Sequence, residues 1–104
     1  MSFAVGIGLN SKATAVEVAT TIAEAMAQIG LSIADVAVFA TAEHRRDHPA
    51  LWAFDLIHLP DTKFADHNVC ETAAVLAAND GVLVVPKRCT ANVCVAIARF
   101  PTLT

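Results

Sequence analysis

The sequence predicts an α/β domain: a three-layer, mostly parallel open sheet with helices on both faces and a C-terminal antiparallel hairpin, in the order β-α-β-α-β-α-β-β. Three observations carry this. Short apolar runs of strand length alternate with segments of helical period, the pattern of parallel strands joined by crossover helices. The link between the last two strands, Pro86 to Asn92, is too short for a crossover and must turn the chain back on itself. The apolar content, 56% of 104 residues, is raised largely by Ala and Val, whose small side chains let helices lie close on a sheet. A chain of this length makes one domain, residues 1–104, around one core.

Each element has a local reason. Phe3–Gly8 is a short apolar run bounded by the polar loop Leu9-Asn-Ser-Lys-Ala and reads as a buried strand. Thr14 and Glu17 have capping-box spacing: the hydroxyl accepts an early N–H and the carboxylate returns to the cap. Val18, Ile22, Ala25, Met26 and Ile29 then repeat at helical period, and Gly30 suits the left-handed residue that ends a helix. Ser32 and Asp35 suggest a short turn before the strand Val36–Ala40. Thr41 to His48 is a charged loop. Pro49 predicts the first position of a second helix running through Leu51, Trp52 and Leu56. Ile57–Leu59 is a short strand, and Pro60 to His67 is polar and irregular. Asn68 and Glu71 cap a third helix through Ala73, Val75, Leu76 and Ala77. Asn79-Asp80-Gly81 is a turn, followed by the strands Val82–Val85 and Val93–Ala98. One strand of the sheet, at its edge, is expected to be antiparallel.

Charge gives the first functional signal. The chain is acidic overall, net −3. Yet five of its seven basic residues follow three expected strands: Lys12, then Arg45 and Arg46, then Lys87 and Arg88. If those strands are parallel, all five cations gather at the carboxyl-end edge of the sheet, where open α/β sheets bind ligands. An anionic ligand is the expectation. The acidic balance argues against a nucleic-acid partner. No apolar run approaches the roughly 20 residues of a membrane span, and the N-terminus lacks the basic start of a secretory signal, so a cytoplasmic location and no membrane partner are expected. The small-residue surplus would also suit a further buried face, such as a homodimer interface. Three cysteines, Cys70, Cys89 and Cys94, are an odd count that argues against a disulfide framework, with Cys94 read as a small buried hydrophobe.

Gly6-Ile-Gly-Leu-Asn-Ser-Lys lies where phosphate loops lie, but lacks both the Walker pattern and the third glycine of a dinucleotide fingerprint. What remains is physical: Gly8 admits a close backbone approach, and unsatisfied N–H groups near Lys12 and Thr14 favour an anion. The alternative is a tight turn with an ordinary cap. Glu43-His-Arg-Arg-Asp-His is a dense polar cluster. His44 and His48 have helical ligand spacing, but no third ligand is placed nearby and Pro49 disfavours a helix across them, so no metal is expected. The bland reading is a solvated loop whose charges pair with one another. His58 reads as a partly buried structural residue and His67 as exposed. No nucleophile–His–Asp pattern is present.

Three segments together resemble the small cobalamin-biosynthesis family comprising CobE and the C-terminal domain of CbiG. Val5-Gly-Ile-Gly-Leu-Asn-Ser-Lys-Ala-Thr-Ala resembles that family's strand and loop before a helix, with Leu9 in place of the usual cysteine. Ala40-Thr-Ala-Glu-His-Arg-Arg-Asp-His-Pro-Ala-Leu is similar to its second motif, with Arg45 where lysine, His48 where glutamate and Ala50 where glycine is usual. Val85-Pro-Lys-Arg-Cys-Thr-Ala-Asn-Val-Cys-Val-Ala-Ile-Ala resembles its third, with Cys89 and Cys94 standing for lysine and threonine. Asn68-Val-Cys-Glu-Thr-Ala-Ala-Val-Leu resembles its third helix, although the connection before it, Asp61–His67, is shorter than usual.

The resemblance implies work on corrin intermediates, as a binding or carrier protein. The ligand would carry many carboxylates around an apolar macrocycle, and any cobalt would belong to it; no cofactor of the protein is implied. Gly8, Asn10, Ser11, Lys12 and Thr14 would cradle carboxylates, with Thr41, Arg45, Lys87, Arg88 and Asn92 adding hydrogen bonds and charge. Two other functions stay open. One is opening of the δ-lactone of cobalt-precorrin-5A with release of acetaldehyde, for which Glu43, His44 or Asp47 would be the base. The other is a subunit that binds other cobalamin-biosynthesis enzymes and no ligand.

Overall fold

Five strands form one sheet: β1 (Phe3–Leu9), β2 (Val36–Ala42), β3 (Leu56–Leu59), β4 (Val82–Cys89) and β5 (Val93–Arg99). Helices α1 (Ala15–Ala27) and α2 (Val69–Ala77) cover it, one on each face. This is a computed structural model describing residues 2–52, 54–64 and 69–101. The spatial order is β3-β2-β1-β5-β4. β1 pairs in parallel with β2, and β2 with β3, while β5 is antiparallel to both β1 and β4. β4 therefore runs with β1, β2 and β3, and four carboxyl ends share one edge.

The antiparallel strand is not at the edge, as expected, but lies between β1 and β4. The reason lies in the side chains. Val93-Cys-Val-Ala-Ile-Ala is apolar on both faces, and such a strand must be covered on both. β4 carries Pro86, which cannot donate to a ladder, followed by exposed Lys87 and Arg88, and both features suit an edge.

The two faces differ in side-chain size. On the α1 face, Val5, Ile7, Val85, Val93, Val95 and Ile97 pack against Val18, Ile22, Ala25 and Met26. On the α2 face the sheet presents Ala4, Ala96 and Ala98 to Cys70, Ala74 and Ala78. Gly6 faces α2 so closely that a Cβ there would collide with the Cys70 carbonyl oxygen and lie 2.5 Å from the Ala74 nitrogen. Small residues thus let α2 rest almost on the backbone of β1.

Local signals act mostly as expected. Thr14 Oγ1 accepts the Glu17 N–H at 3.2 Å. Gly30 sits at φ +68°, and bonds from Leu31 N to Met26 O (2.9 Å) and Gly30 N to Ala27 O (3.3 Å) close α1 in a Schellman arrangement. Ile33–Asp35 is a 3-10 turn. Asn79 and Asp80 both take positive φ in the turn before β4. The expected cap residue Asn68 and the exposure expected at His67 lie outside the described residues, while Glu71, expected to act with Asn68, accepts the Lys87 N–H.

Three further expectations are corrected. The second helix is only a 3-10 turn, Pro49–Leu51. The proline opens it, but Leu56 is already drawn into β3, and among the described residues between them Ala50 and Leu51 are the ones buried against the α1-side core. His58 is exposed, since β3 is the other edge of the sheet. Cys89 and Cys94 form a disulfide across the β4–β5 hairpin, with Cα atoms 4.0 Å apart. An odd cysteine count does not forbid one bridge, and the hairpin register sets these two residues opposite each other. Cys70 is the remaining buried thiol, which burial pushes up to about 11.

Candidate functional site

The carboxyl ends of β1 and β4, the start of α2 and the hairpin tip enclose an open cavity of about 300 Å³. Its wall includes Gly8, Asn10, Cys70, Lys87 and Asn92, so four residues expected to contact a ligand from separate parts of the chain meet there. Gly8 faces α2, and a Cβ on it would stand 3.5 Å from Val69 Cβ; its lack of a side chain keeps that part of the wall open.

The hairpin tip is held by a hydrogen-bond network centred on Glu17. Its carboxylate accepts from Thr90 Oγ1 (2.6 Å), Asn92 N (2.7 Å) and Asn92 Nδ2 (3.0 Å). The expected return of this carboxylate to the helix cap does not occur, because three donors from the tip take it instead. Thr21 Oγ1, buried beneath, bonds the Glu17 carbonyl at 2.7 Å and lies 3.2 Å from Thr90 Oγ1. Asn92 in turn ties to Asn10, side chain to side chain at 3.1 Å and Asn10 N to Asn92 O at 3.0 Å. Asn10 Oδ1 accepts the Lys12 N–H at 2.9 Å, and His48 Nε2 lies 2.8 Å from the Asn10 carbonyl. His48 Nδ1 also accepts the Ala50 N–H at 3.1 Å, which leaves Nε2 to donate to the Asn10 carbonyl. Glu17, Thr90 and His48 are thus positioning residues absent from the sequence-based site. The visible signals were a carboxylate at a cap position and polar residues at a hairpin tip.

Other expected site residues lie elsewhere. Ser11 and Lys12 are exposed at the same edge but outside the cavity wall, and Thr14 is occupied as the α1 cap. Thr41 is fully buried and donates to Ile7 O at 2.8 Å, tying β2 to β1. Arg45 is half-buried in the 3-10 turn Glu43–Arg45. Arg88 turns to the α1 face, where its guanidinium meets Glu24 (3.5 Å) and Gln28 (3.4 Å). Arg88, and not Lys87, shares the α1 face with Val85 because the ladder is irregular between Val85 and Arg88. The Lys87 N–H donates to Glu71 Oε2 at 2.9 Å.

A second polar group lies at the ends of β2 and β3. His44 Nδ1 is 2.7 Å from Asp61 Oδ1, which also accepts the His44 N–H, and the Asp61 N–H donates to Glu43. Asp47 is exposed nearby in sequence. Among the described residues, no group of three or more His, Cys, Asp or Glu is gathered to hold a metal ion, and no helix is long and apolar enough to cross a membrane. On the α1 side, Ile22, Met26, Ile33, Phe39 and Phe54 line an apolar groove of about 420 Å³.

Donated hydrogen bonds shift the carboxylates. Thr90, and then Asn92, hold Glu17 below the usual range; the His44 ring does the same for Asp61, and the Ser32 backbone and hydroxyl for Asp35. A depressed folded-state value means stabilisation that is present above the unfolded value, 4.5 for Glu17, and is lost as pH falls through the folded one. Melting temperature measured against pH should therefore drop on acidification below about pH 4.5. Glu17→Gln should melt lower at neutral pH and show a shallower acid loss than the parent.

Comparison with known proteins agrees with this architecture. The crystal structure of CobE, a protein from the cobalamin (vitamin B12) biosynthetic pathway, superposes with TM-score 0.86 at 20% identity, covering 99% of this chain and 93% of that one. Cobalamin biosynthesis protein chiG from Agrobacterium tumefaciens str. C58 gives 0.73 at 23% identity, covering 96% and 99%. A cobalamin biosynthesis protein G homolog from Sulfolobus solfataricus gives 0.76 at 16% identity; the match covers 97% of this chain and only 37% of that longer one. No curated protein sequence matches significantly. The sequence profile described as Cobalamin synthesis G C-terminus matches residues 3–64, more than half of the chain. The protein belongs to this cobalamin-biosynthesis family, that of CobE and the C-terminal domain of CbiG.

Proposed function

We propose that the protein binds a polycarboxylate corrinoid intermediate at the carboxyl-end edge of its sheet, gripping it by its carboxylate arms. The observation that carries this reading is the cavity in which Lys87, Asn10 and Asn92 line the wall beside Gly8. At about 300 Å³ it is at the small end of ligand pockets, which suits one acetate or propionate arm and excludes the macrocycle. Lys87 supplies charge to that arm, and the Asn10 and Asn92 amides sit in positions fixed by Glu17. Further arms meet the rim, where Ser11 and Lys12 are exposed and Arg45 follows β2.

A visible-absorbance titration with hydrogenobyrinic acid at low and high salt tests this. Saturable binding that weakens with salt is expected. No spectral shift and no co-elution on gel filtration would refute it.

The His44–Asp61 contact favours lactone hydrolysis as the second reading. A carboxylate on Nδ1 orients an imidazole whose Nε2 can take a proton from water. Acetaldehyde released from cobalt-precorrin-5A by the parent but not by His44→Ala would support it, and no release from the parent would exclude it.

A further inference from the structure

We propose that the Cys89–Cys94 disulfide is a two-electron redox latch on the ligand cavity, and that a dithiol reductant that opens it weakens carboxylate binding there. This rests on the corrinoid-binding reading above. Cys94 lines the cavity, and so do Lys87, two residues before Cys89, and Thr90, next to it.

The latch follows from how β4 is held. It is an edge strand, whose strand pairing among the described residues is with β5. Its ladder is irregular between Val85 and Arg88, where Pro86 offers no N–H and the Lys87 N–H turns away to Glu71. Past that irregularity, Arg88 opposite Val95 and the Cys89–Cys94 bridge tie the segment to β5. The hairpin tip beyond is pinned separately by Glu17. Opening the bridge therefore removes the covalent tie from this segment, leaving it to the Arg88–Val95 pairing, the Arg88 contacts with Glu24 and Gln28 and the Lys87 N–H bond to Glu71, and leaves the tip in place.

The chemistry is accessible. Cys89 is exposed, and exposed disulfides are the reducible ones. A dithiol thiolate attacks one sulfur to give a mixed disulfide. Its second thiol then closes the reductant's own disulfide, and Cys89 and Cys94 each gain one electron and one proton. Cys70 takes no part: it is buried, and little of it is thiolate near neutral pH.

The test compares the air-oxidised protein with the same protein reduced by dithiothreitol. Hydrogenobyrinic acid titration and amide hydrogen exchange over residues 86–92 are measured on both. The oxidised form should bind about fivefold tighter or better, because its cationic wall is preorganised. Exchange at Lys87–Cys89 should accelerate on reduction, while that at Asn92 changes little. The double variant Cys89→Ser with Cys94→Ser should match the reduced form and ignore dithiothreitol. Equal affinities in the two forms overturn the latch. If neither form binds, the corrinoid reading fails and the claim that reduction weakens binding there falls with it; accelerated exchange at Lys87–Cys89 would then show only that the bridge stiffens the segment.

Discussion

Gly6→Ala should destabilise the domain by about 3 kcal/mol or more, the upper end for overpacking a dense core. The new methyl group has no space, because it meets the Cys70 carbonyl and the Ala74 nitrogen on the backbone of α2. Neither can rotate away as a side chain could. α2 would have to lift from β1, losing its contact with Ala4, Ala96 and Ala98 and the α2 wall of the cavity with it. Urea unfolding followed by circular dichroism measures the cost. Gly8→Ala is the matched control, since its methyl would stand at an ordinary 3.5 Å from Val69 Cβ. That variant should keep nearly full stability while narrowing the cavity mouth. A Gly6→Ala variant as stable as the parent would mean that α2 does not sit as closely on β1 as described.

Lys87→Ala should lower affinity for hydrogenobyrinic acid by about 1–3 kcal/mol, the loss of a hydrogen bond to a charged group, or roughly 5- to 150-fold. Arg88→Ala should change it far less, although the two residues are neighbours and carry the same charge. Lys87 lines the cavity, whereas the Arg88 guanidinium lies across the sheet with Glu24 and Gln28. Lys12→Ala should fall between them, since an exposed rim charge is screened by solvent and salt. Absorbance titrations of the three variants in one buffer give the order. If Lys87→Ala and Arg88→Ala are equally weak, the ligand reads net charge at the edge and not this cavity.

The parts of the fold legible in the sequence were those set by local pattern. The apolar run at β1, the Thr14 cap, the Gly30 stop and the short link before β5 each depend on residues within a few positions of one another. Pro49 misled because a helix start signal does not ensure a helix: Ala50 and Leu51 are buried at once and the chain leaves for β3. The gathering of Gly8, Asn10, Lys87 and Asn92 followed from expecting the parallel strands to share an edge. The facing of Arg88 did not, because it depends on an irregular register between Val85 and Arg88, and Pro86, the local sign of it, reads equally well as the end of the strand. Glu17 was read as a capping residue, and its proper partners are more than 70 positions away. The Cys89–Cys94 bridge needed the hairpin register, which the cysteine count alone does not contain.

The claim that a corrinoid is held by its arms at the carboxyl-end edge is tested most directly by backbone amide NMR during titration with hydrogenobyrinic acid. The account predicts saturable shifts at Gly8, Leu9, Asn10 and Lys87 through Asn92, which shrink with added salt. Shifts concentrated instead at Ile33, Phe39 and Phe54, around the apolar groove, or no shifts at saturating ligand, would contradict it.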